Sequence, residues 1–309
     1  LGAAGGLAIT KTVTGHALAK EQFEFKVKAV KTDTATADEA AELFGFKEGE
    51  TEVTFKNNEA AADGQTVTML KTDTNFTLKN LGKVYKYEVS EMNDKKPGYT
   101  YDDTVYTVEL WVTDDGDGTL TLHTKVTDEK GSVISEETSN ETDQKQTVLA
   151  FNNSYAGSGV LDGSANLAGT KKMDGPWEAT DKDLSGFRFT ITGGDEATNA
   201  AITAGTVVLP QSVTATSDAD GNFNFGDITF NEKGTYKFTV SEVVPAEGDK
   251  IPGVAYNAET VTIIVNVTDN DDGTLTAALA EGSQELIFTN TYATTQDATF
   301  TPSVVKEVK

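Results

Sequence analysis

The sequence predicts an all-β protein built as two tandem β-sandwiches, each with at most a short helix. Three observations predict it. Apolar residues recur at every second position in short runs, the period of a half-buried strand. Asp-Gly and similar turn signals separate these runs as hairpin turns do. The same ordered set of runs then appears a second time, the mark of an internal duplication.

The first copy begins after residues 1–6, which read as linker from a longer chain. Residues 7–14 (L-A-I-T-K-T-V-T) form a strand with Ile9, Lys11 and Val13 on one side. Residues 22–30 alternate again, with Phe23, Phe25, Val27 and Ala29 on one face. Thr36-Ala37-Asp38-Glu39 is a capping box; the helix it opens runs to Phe44 and is ended by Gly45. Short strands are expected near 51–55, 66–70 and 74–78. In K-V-Y-K-Y-E-V-S-E, residues 83–91, Tyr85, Tyr87, Val89 and Glu91 share parity. Residues 104–113 and 119–127 form a hairpin around Asp115-Gly116-Asp117-Gly118, and 146–155 is the last strand.

Residues 156–166 (A-G-S-G-V-L-D-G-S-A-N) are small and turn-forming and read as linker. The programme then restarts. L-A-G-T-K-K-M-D-G from Leu167 lines up with L-A-I-T-K-T-V-T-G from Leu7. Phe187-Arg188-Phe189 matches Phe23-Glu24-Phe25, and Y-K-F-T-V-S-E from Tyr236 matches Y-K-Y-E-V-S-E from Tyr85. T-D-N-D-D-G-T-L-T from Thr268 matches T-D-D-G-D-G-T-L-T from Thr113. Phe288-Thr289-Asn290-Thr291-Tyr292 echoes Phe151-Asn152-Asn153-Ser154-Tyr155. The expected organisation is a first domain over 1–156, a linker over 157–166 and a second domain over 167–293. The tail, 294–309, is either frayed or the first strand of a third copy, since V-V-K-E-V from Val304 resembles Ile9 to Val13. Each copy holds roughly eight to ten short strands, which points to an Ig-like sandwich.

Composition narrows the function. At 309 residues the chain has room for about two domains. A net charge of −24, from 25 basic and 49 acidic residues, argues against nucleic acid or an anionic membrane as partner. No apolar run reaches the length of a membrane span, and no signal peptide is visible. Cysteine is absent, so no disulfide staples the fold, and two histidines, His16 and His123, argue against a His-based triad or metal site.

Three residue types recur at matching places, all on the apolar side of their strands: Lys11 and Lys171, Glu91 and Glu242, Asn153 and Asn290. Glu88 and Asn152, by contrast, are replaced by Thr239 and Thr289, as surface positions would be. A lone strand lysine ordinarily snorkels to water, a strand-end glutamate is ordinarily solvated, and an asparagine near a strand end ordinarily serves a turn. Matching inward parity in both copies argues for joint burial instead. Burial lowers a lysine pKa and raises a glutamate pKa. Proton transfer between them leaves a nucleophilic amine beside an acid, the acid hydrogen-bonds the Asn carbonyl, and the amine attacks the carboxamide. The product is a Lys–Asn isopeptide bond, with Glu91 and Glu242 catalytic. Tyr85, Tyr87 and Phe151, with Tyr236, Phe238 and Phe288, are expected to exclude water.

The early-strand Lys, the aromatic-x-aromatic-x-aliphatic-x-Glu box and the closing F-x-N-x-Y together resemble the isopeptide-forming domains of Gram-positive pilins and surface adhesins. The likeness is to the streptococcal major-pilin type, related to CnaB-like domains, and covers nearly the whole chain. It implies a CnaB-like sandwich with a spontaneous crosslink, in a stalk or shaft on the Gram-positive cell wall. The implied partners are neighbouring repeats or pilin subunits, with a host receptor reached through other domains; no cofactor, metal, nucleic acid or membrane contact is implied. The chemistry acts once, on the chain itself, so no enzyme is expected. No sortase signal or clear pilin-lysine motif separates a polymerised pilin from an adhesin stalk. The alternative is a ligand-binding adhesin module recognising a host protein or glycan. The Asp-rich hairpins, 113–118 and 268–273, cluster oxygens as calcium sites do but lack EF-hand spacing, and Asp-Gly turns are favoured in hairpins for backbone reasons alone.

Overall fold

The computed structural model describes residues 3–140, 142–294, 300, 302, 306 and 307. The chain divides into two units, Leu1–Ala156 and Gly157–Lys309. Val304, Val305 and Val308, on which a third copy would rest, lie outside the described residues. No helix among the described residues is long and apolar enough to cross a membrane.

The first unit runs β1 (Ala3–Thr14), β2 (Glu24–Val30), α1 (Ala37–Phe44), β3 (Glu52–Lys56), β4 (Thr66–Phe76), β5 (Val84–Met92), β6 (Tyr99–Thr100), β7 (Val105–Asp114), β8 (Leu120–Thr127), β9 (Val133–Ser139) and β10 (Gln146–Tyr155). Two sheets form, in the orders β4-β1-β10-β6 and β3-β2-β5-β7-β8-β9. Their inner faces share one core. Ile9, Val13, Leu149 and Phe151 come from one sheet; Phe25, Val27, Tyr87, Val89 and Val108 come from the other. Helix α1 forms where its signals stand: Thr36 Oγ1 accepts the Glu39 N–H, Glu39 Oε2 accepts the Thr36 N–H, and Gly45 closes it at φ 84°.

The second unit runs β11 (Gly159–Leu161), α2 (Gly163–Asn166), β12 (Ala168–Asp174), β13 (Arg188–Gly193), α3 (Glu196–Ala204), β14 (Val207–Val208), β15 (Thr214–Thr216), β16 (Asn222–Asn224), β17 (Ile228–Phe230), β18 (Gly234–Glu242), β19 (Val254–Ala255), β20 (Thr260–Asp269), β21 (Leu275–Leu279) and β22 (Ile287–Tyr292). Its sheets are ordered β16-β12-β22-β19 and β15-β13-β18-β20-β21, with a small third sheet, β11-β17-β14. Phe223 and Phe288 from the first sheet meet Phe189, Ile191, Phe238, Val240 and Val265 from the second.

Most pairings are antiparallel, but in each unit the first long strand lies parallel beside the last. β1 pairs with β10, setting Lys11 against Phe151 and Val13 against Asn153. β12 pairs with β22, setting Lys171 against Phe288 and Met173 against Asn290.

Four local expectations are revised. Residues 3–6 belong to β1, where Ala3 to Gly6 pair with Phe76 to Asp73 of β4. The strands expected at 66–70 and 74–78 are one strand, β4, because β1 offers a pairing edge along its whole length and a register shift at Ile9/Thr10 absorbs the irregularity. Residues 159–166, expected as linker, form β11, which pairs with β17, and α2, capped by Asp162. The second unit thus holds two short helices, α2 and α3, rather than one at most.

Candidate functional site

The parallel pairing of first and last strands decides where the polar residues go. In the first domain, Lys11 and Val13 share the inner face of β1, and Phe151 and Asn153 share that of β10. Glu91, near the end of β5, reaches in from the facing sheet, where it sits opposite Phe25 of β2. The structure brings Lys11, Glu91 and Asn153 together. Lys11 Nζ lies 2.8 Å from both carboxylate oxygens of Glu91. Asn153 Nδ2 donates to Glu91 Oε1 at 2.9 Å. Both charged side chains have 0% exposure, and Asn153 is 2% exposed.

The second domain repeats the arrangement. Lys171 Nζ donates to Glu242 Oε2 at 3.0 Å, and Asn290 Nδ2 donates to Glu242 Oε1 at 2.8 Å. Here too the lysine and glutamate side chains are fully buried. Glu88 and Asn152 stay outside: Glu88 meets Lys28 at 3.8 Å on the surface, and Asn152 is exposed.

Aromatic rings dry the site, but not all of the expected ones. The rings at the Lys11 amine are Phe23, 4.8 Å from Nζ to centroid, and Phe25, 5.7 Å. Phe25 in turn packs on Phe151 at 5.4 Å. In the second domain Phe187 lies 4.9 Å from Lys171 Nζ, and Phe189 packs on Phe288 at 5.1 Å. Tyr87 shares a face with Glu91, but a strand rises about 3.3 Å per residue, so the two stand about 13 Å apart along β5. Its hydroxyl donates to Ala40 O in α1, and the Tyr85 hydroxyl accepts from Asn80 Nδ2. Those tyrosines anchor the helix side of the core.

Burial sets the protonation chemistry. It lowers the Lys11 amine from the ordinary lysine range to about 8, against the opposing pull of Glu91 and, more weakly, Asp102. It raises Glu91, against the pull of Lys11, and the charge of Asp102 adds to that rise. Burial lowers Lys171 as well, with Glu242 opposing. Desolvation thus pushes Lys11, Glu91 and Lys171 toward their uncharged forms.

Hydrogen bonding departs from the sequence-based mechanism at one atom. The Asn carbonyl was expected to accept from the glutamic acid. Glutamate instead faces the carboxamide nitrogen, and the carbonyl oxygen accepts a backbone N–H: Asp102 N to Asn153 Oδ1 at 2.8 Å, and Asn257 N to Asn290 Oδ1 at 2.7 Å. Sequence reasoning missed both donors. Their trace in the sequence is a repeated Gly-x-x-Tyr-Asx, Gly98 to Asp102 and Gly253 to Asn257.

A glycine follows each lysine strand. Gly15 has φ +89°, and a Cβ there would sit 2.2 Å from the Tyr155 carbonyl oxygen. Gly175, at φ +93°, stands in the same relation to Tyr292. The glycine thus lets the first strand leave against the end of the last.

In each Asp-rich hairpin one carboxylate is bound within its own turn. Asp117 Oδ1 accepts both the N–H and the hydroxyl of Thr119, and Asp272 Oδ1 does the same for Thr274.

Residues 7–156 and 167–293 each match the family described as the Spy0128-like isopeptide containing domain, FctA. The chain belongs to that family. No curated protein matches it. Among solved structures it is similar to the major pilin of Streptococcus pyogenes, at 19% identity over 93% of this chain and 98% of that one, with a TM-score of 0.32. It is also similar to the T-13 major pilin of Streptococcus pyogenes serotype GAS131465, at 18% identity, 94% and 97% coverage and a TM-score of 0.29. The shaft pilin spaA of Lactobacillus rhamnosus GG matches at 12% identity, 96% and 100% coverage and a TM-score of 0.21. At these TM-scores the structural likenesses add nothing to the family match.

Proposed function

We propose that each domain closes one Lys–Asn isopeptide bond on itself, Lys11 to Asn153 and Lys171 to Asn290. The chain then serves as a tension-bearing module of a shaft or stalk on the Gram-positive cell wall. Its partners are neighbouring repeats or pilin subunits of the same fibre. The observation that carries this reading is a buried amine, carboxylate and carboxamide in hydrogen-bond contact, present twice.

The chemistry balances within each site. Lysine passes a proton to glutamate, and the neutral amine adds to the asparagine Cγ. Glutamate then protonates Nδ2 and takes a proton from Nζ, both within its reach. The Cγ–Nδ2 bond breaks and ammonia leaves, carrying off the remaining proton as ammonium. Holding the groups in contact replaces a bimolecular encounter, worth about 7–11 kcal/mol of barrier in well-oriented cases.

Parallel pairing gives the bond its mechanical sense. Force entering β1 at Leu7 and leaving β10 at Tyr155 would shear two neighbouring strands. A bond from Lys11 to Asn153 takes that load directly and removes residues 12–152 from the force path. In the second domain residues 172–289 are removed likewise. By the loop-entropy relation for disulfides, each closure also stabilises its domain by about 4–5 kcal/mol. Unlike a disulfide, the amide resists reductants.

Intact-mass measurement tests the proposal. The expected mass is that of the sequence less two molecules of ammonia; the full sequence mass would overturn it.

A further inference from the structure

The carbonyl oxygen of each candidate crosslink is held by a group that is neither the lysine nor the glutamate. Asn153 Oδ1 accepts the backbone N–H of Asp102, and Asn290 Oδ1 accepts that of Asn257. Each donor lies at the corner where a short edge strand turns into the next long one, β6 into β7 and β19 into β20. Edge pairing delivers the corner to its place. Thr100 pairs with Ser154 and Ala255 with Thr291, so the chain running on from each edge strand passes beside the asparagine.

The donor residue also fixes its own corner. Asp102 Oδ1 accepts the Thr104 N–H at 3.1 Å, and Oδ2 accepts the Asn152 N–H at 2.8 Å. Asn257 Oδ1 accepts the Glu259 N–H at 2.8 Å. Aspartate and asparagine share little in charge but share this local hydrogen-bonding habit. The two domains therefore differ in side-chain charge at this position while keeping the same N–H in the same place.

When the lysine Nζ adds to Cγ, the C=O electron pair moves onto Oδ1. Glutamate is already committed to the two nitrogens, so it does not face that oxygen. We propose that the backbone N–H of Asp102 in one domain and of Asn257 in the other is the oxyanion-binding group of the crosslinking reaction. This inference rests on the Lys–Asn reading above. Labour is then divided: glutamate moves protons between the nucleophile and the leaving group, and the corner N–H holds the developing negative charge. The donors stand 2.8 and 2.7 Å from the ground-state carbonyl oxygen, so each already holds the atom onto which the charge develops.

The test replaces Asp102 by its α-hydroxy acid during cell-free synthesis. This turns the peptide N–H into an ester oxygen and keeps the side chain. Samples are quenched in denaturant at intervals, and the Lys11–Asn153 and Lys171–Asn290 crosslinked peptides are quantified by mass spectrometry. Closure of the first domain is expected to slow by about 10²–10³-fold, while the second domain of the same molecule closes at its native rate. The reciprocal ester at Asn257 should reverse the pattern. Should the ester leave the first domain unfolded, the reciprocal ester at Asn257 carries the test, read in the second domain with the first as internal reference. Slower closure supports the assignment, and closure at the native rate overturns it. Native-sequence chain that loses no ammonia sinks the crosslink itself. Native chain that closes both bonds, beside an ester variant that closes as fast, sinks only the oxyanion assignment.

Discussion

The first and second domains hold their three polar residues alike and surround them with different charge. Lysine to glutamate is 2.8 Å in one and 3.0 Å in the other; asparagine to glutamate is 2.9 and 2.8 Å. The nearest ring stands 4.8 or 4.9 Å from the amine. The corner beside the asparagine, however, carries a carboxylate in the first domain and a carboxamide in the second. The side chains that touch the reacting atoms are thus kept in kind and in place, while those one step removed vary. Short-range contact fixes whether the amine can reach the carboxamide. The longer-range field only adjusts how protons are shared.

Removing the glutamate domain by domain should give the largest effect. Glu91→Ala is expected to abolish bond formation in the first domain alone, and Glu242→Ala in the second alone. Each variant should lose one ammonia instead of two. Each should lose about 4–5 kcal/mol of stability in the affected domain from loop closure, with a further cost from a buried lysine left without its partner. Mass spectrometry with denaturant unfolding checks both. A Glu91→Ala chain that still loses two ammonias would remove glutamate from the chemistry.

Next in size are the glycines that pass the end of the last strand, where the two domains are alike. Gly15→Ala and Gly175→Ala each force a Cβ to within 2.2 Å of a carbonyl oxygen, at a φ that alanine rarely adopts. A cost of about 1–3 kcal/mol is expected in each, similar in both domains, and read as a lowered urea midpoint. A marked inequality would show that the two crossings are not equivalent.

Local and period-2 signals were legible in the sequence because their causes are local. Thr36, Glu39 and Gly45 announce α1 through hydrogen bonds within a few residues. Alternation places Lys11, Glu91 and Asn153 inward because a strand can face only two ways. What escaped depends on distant partners. Residues 157–163 look like a linker because of their glycines, yet a Cβ at Gly159 would meet the Leu275 carbonyl oxygen at 2.2 Å. There the small residue serves close packing, not freedom. Parity could not say how far along β5 a tyrosine lies from Glu91, so Tyr85 and Tyr87 were assigned to a site they do not line. The N–H of Asp102 left the faintest trace, since a backbone donor is the same whatever residue bears it.

The smallest expected effect bears most directly on the difference between the domains. The reactive state of each lysine–glutamate pair holds one proton between the two groups. With both protonated, the amine is blocked. With neither protonated, no acid remains for the leaving nitrogen. The closure rate should therefore be bell-shaped in pH, and in the first domain it should fall as pH rises through about 8, where Lys11 loses its proton. The negative charge of Asp102 holds protons on both Lys11 and Glu91. Asp102→Asn keeps the N–H and removes the charge, so both limbs of the first domain's profile should move to lower pH. Asn257→Asp should move both limbs of the second domain's profile to higher pH. The shift is modest, because burial and Glu91 outrank Asp102 in setting Lys11. Cell-free time courses across a pH series, with the untouched domain as internal reference, read it directly. Limbs that stay fixed, or that move in opposite directions, would mean that the corner charge does not reach the pair and that the two domains differ there in name only.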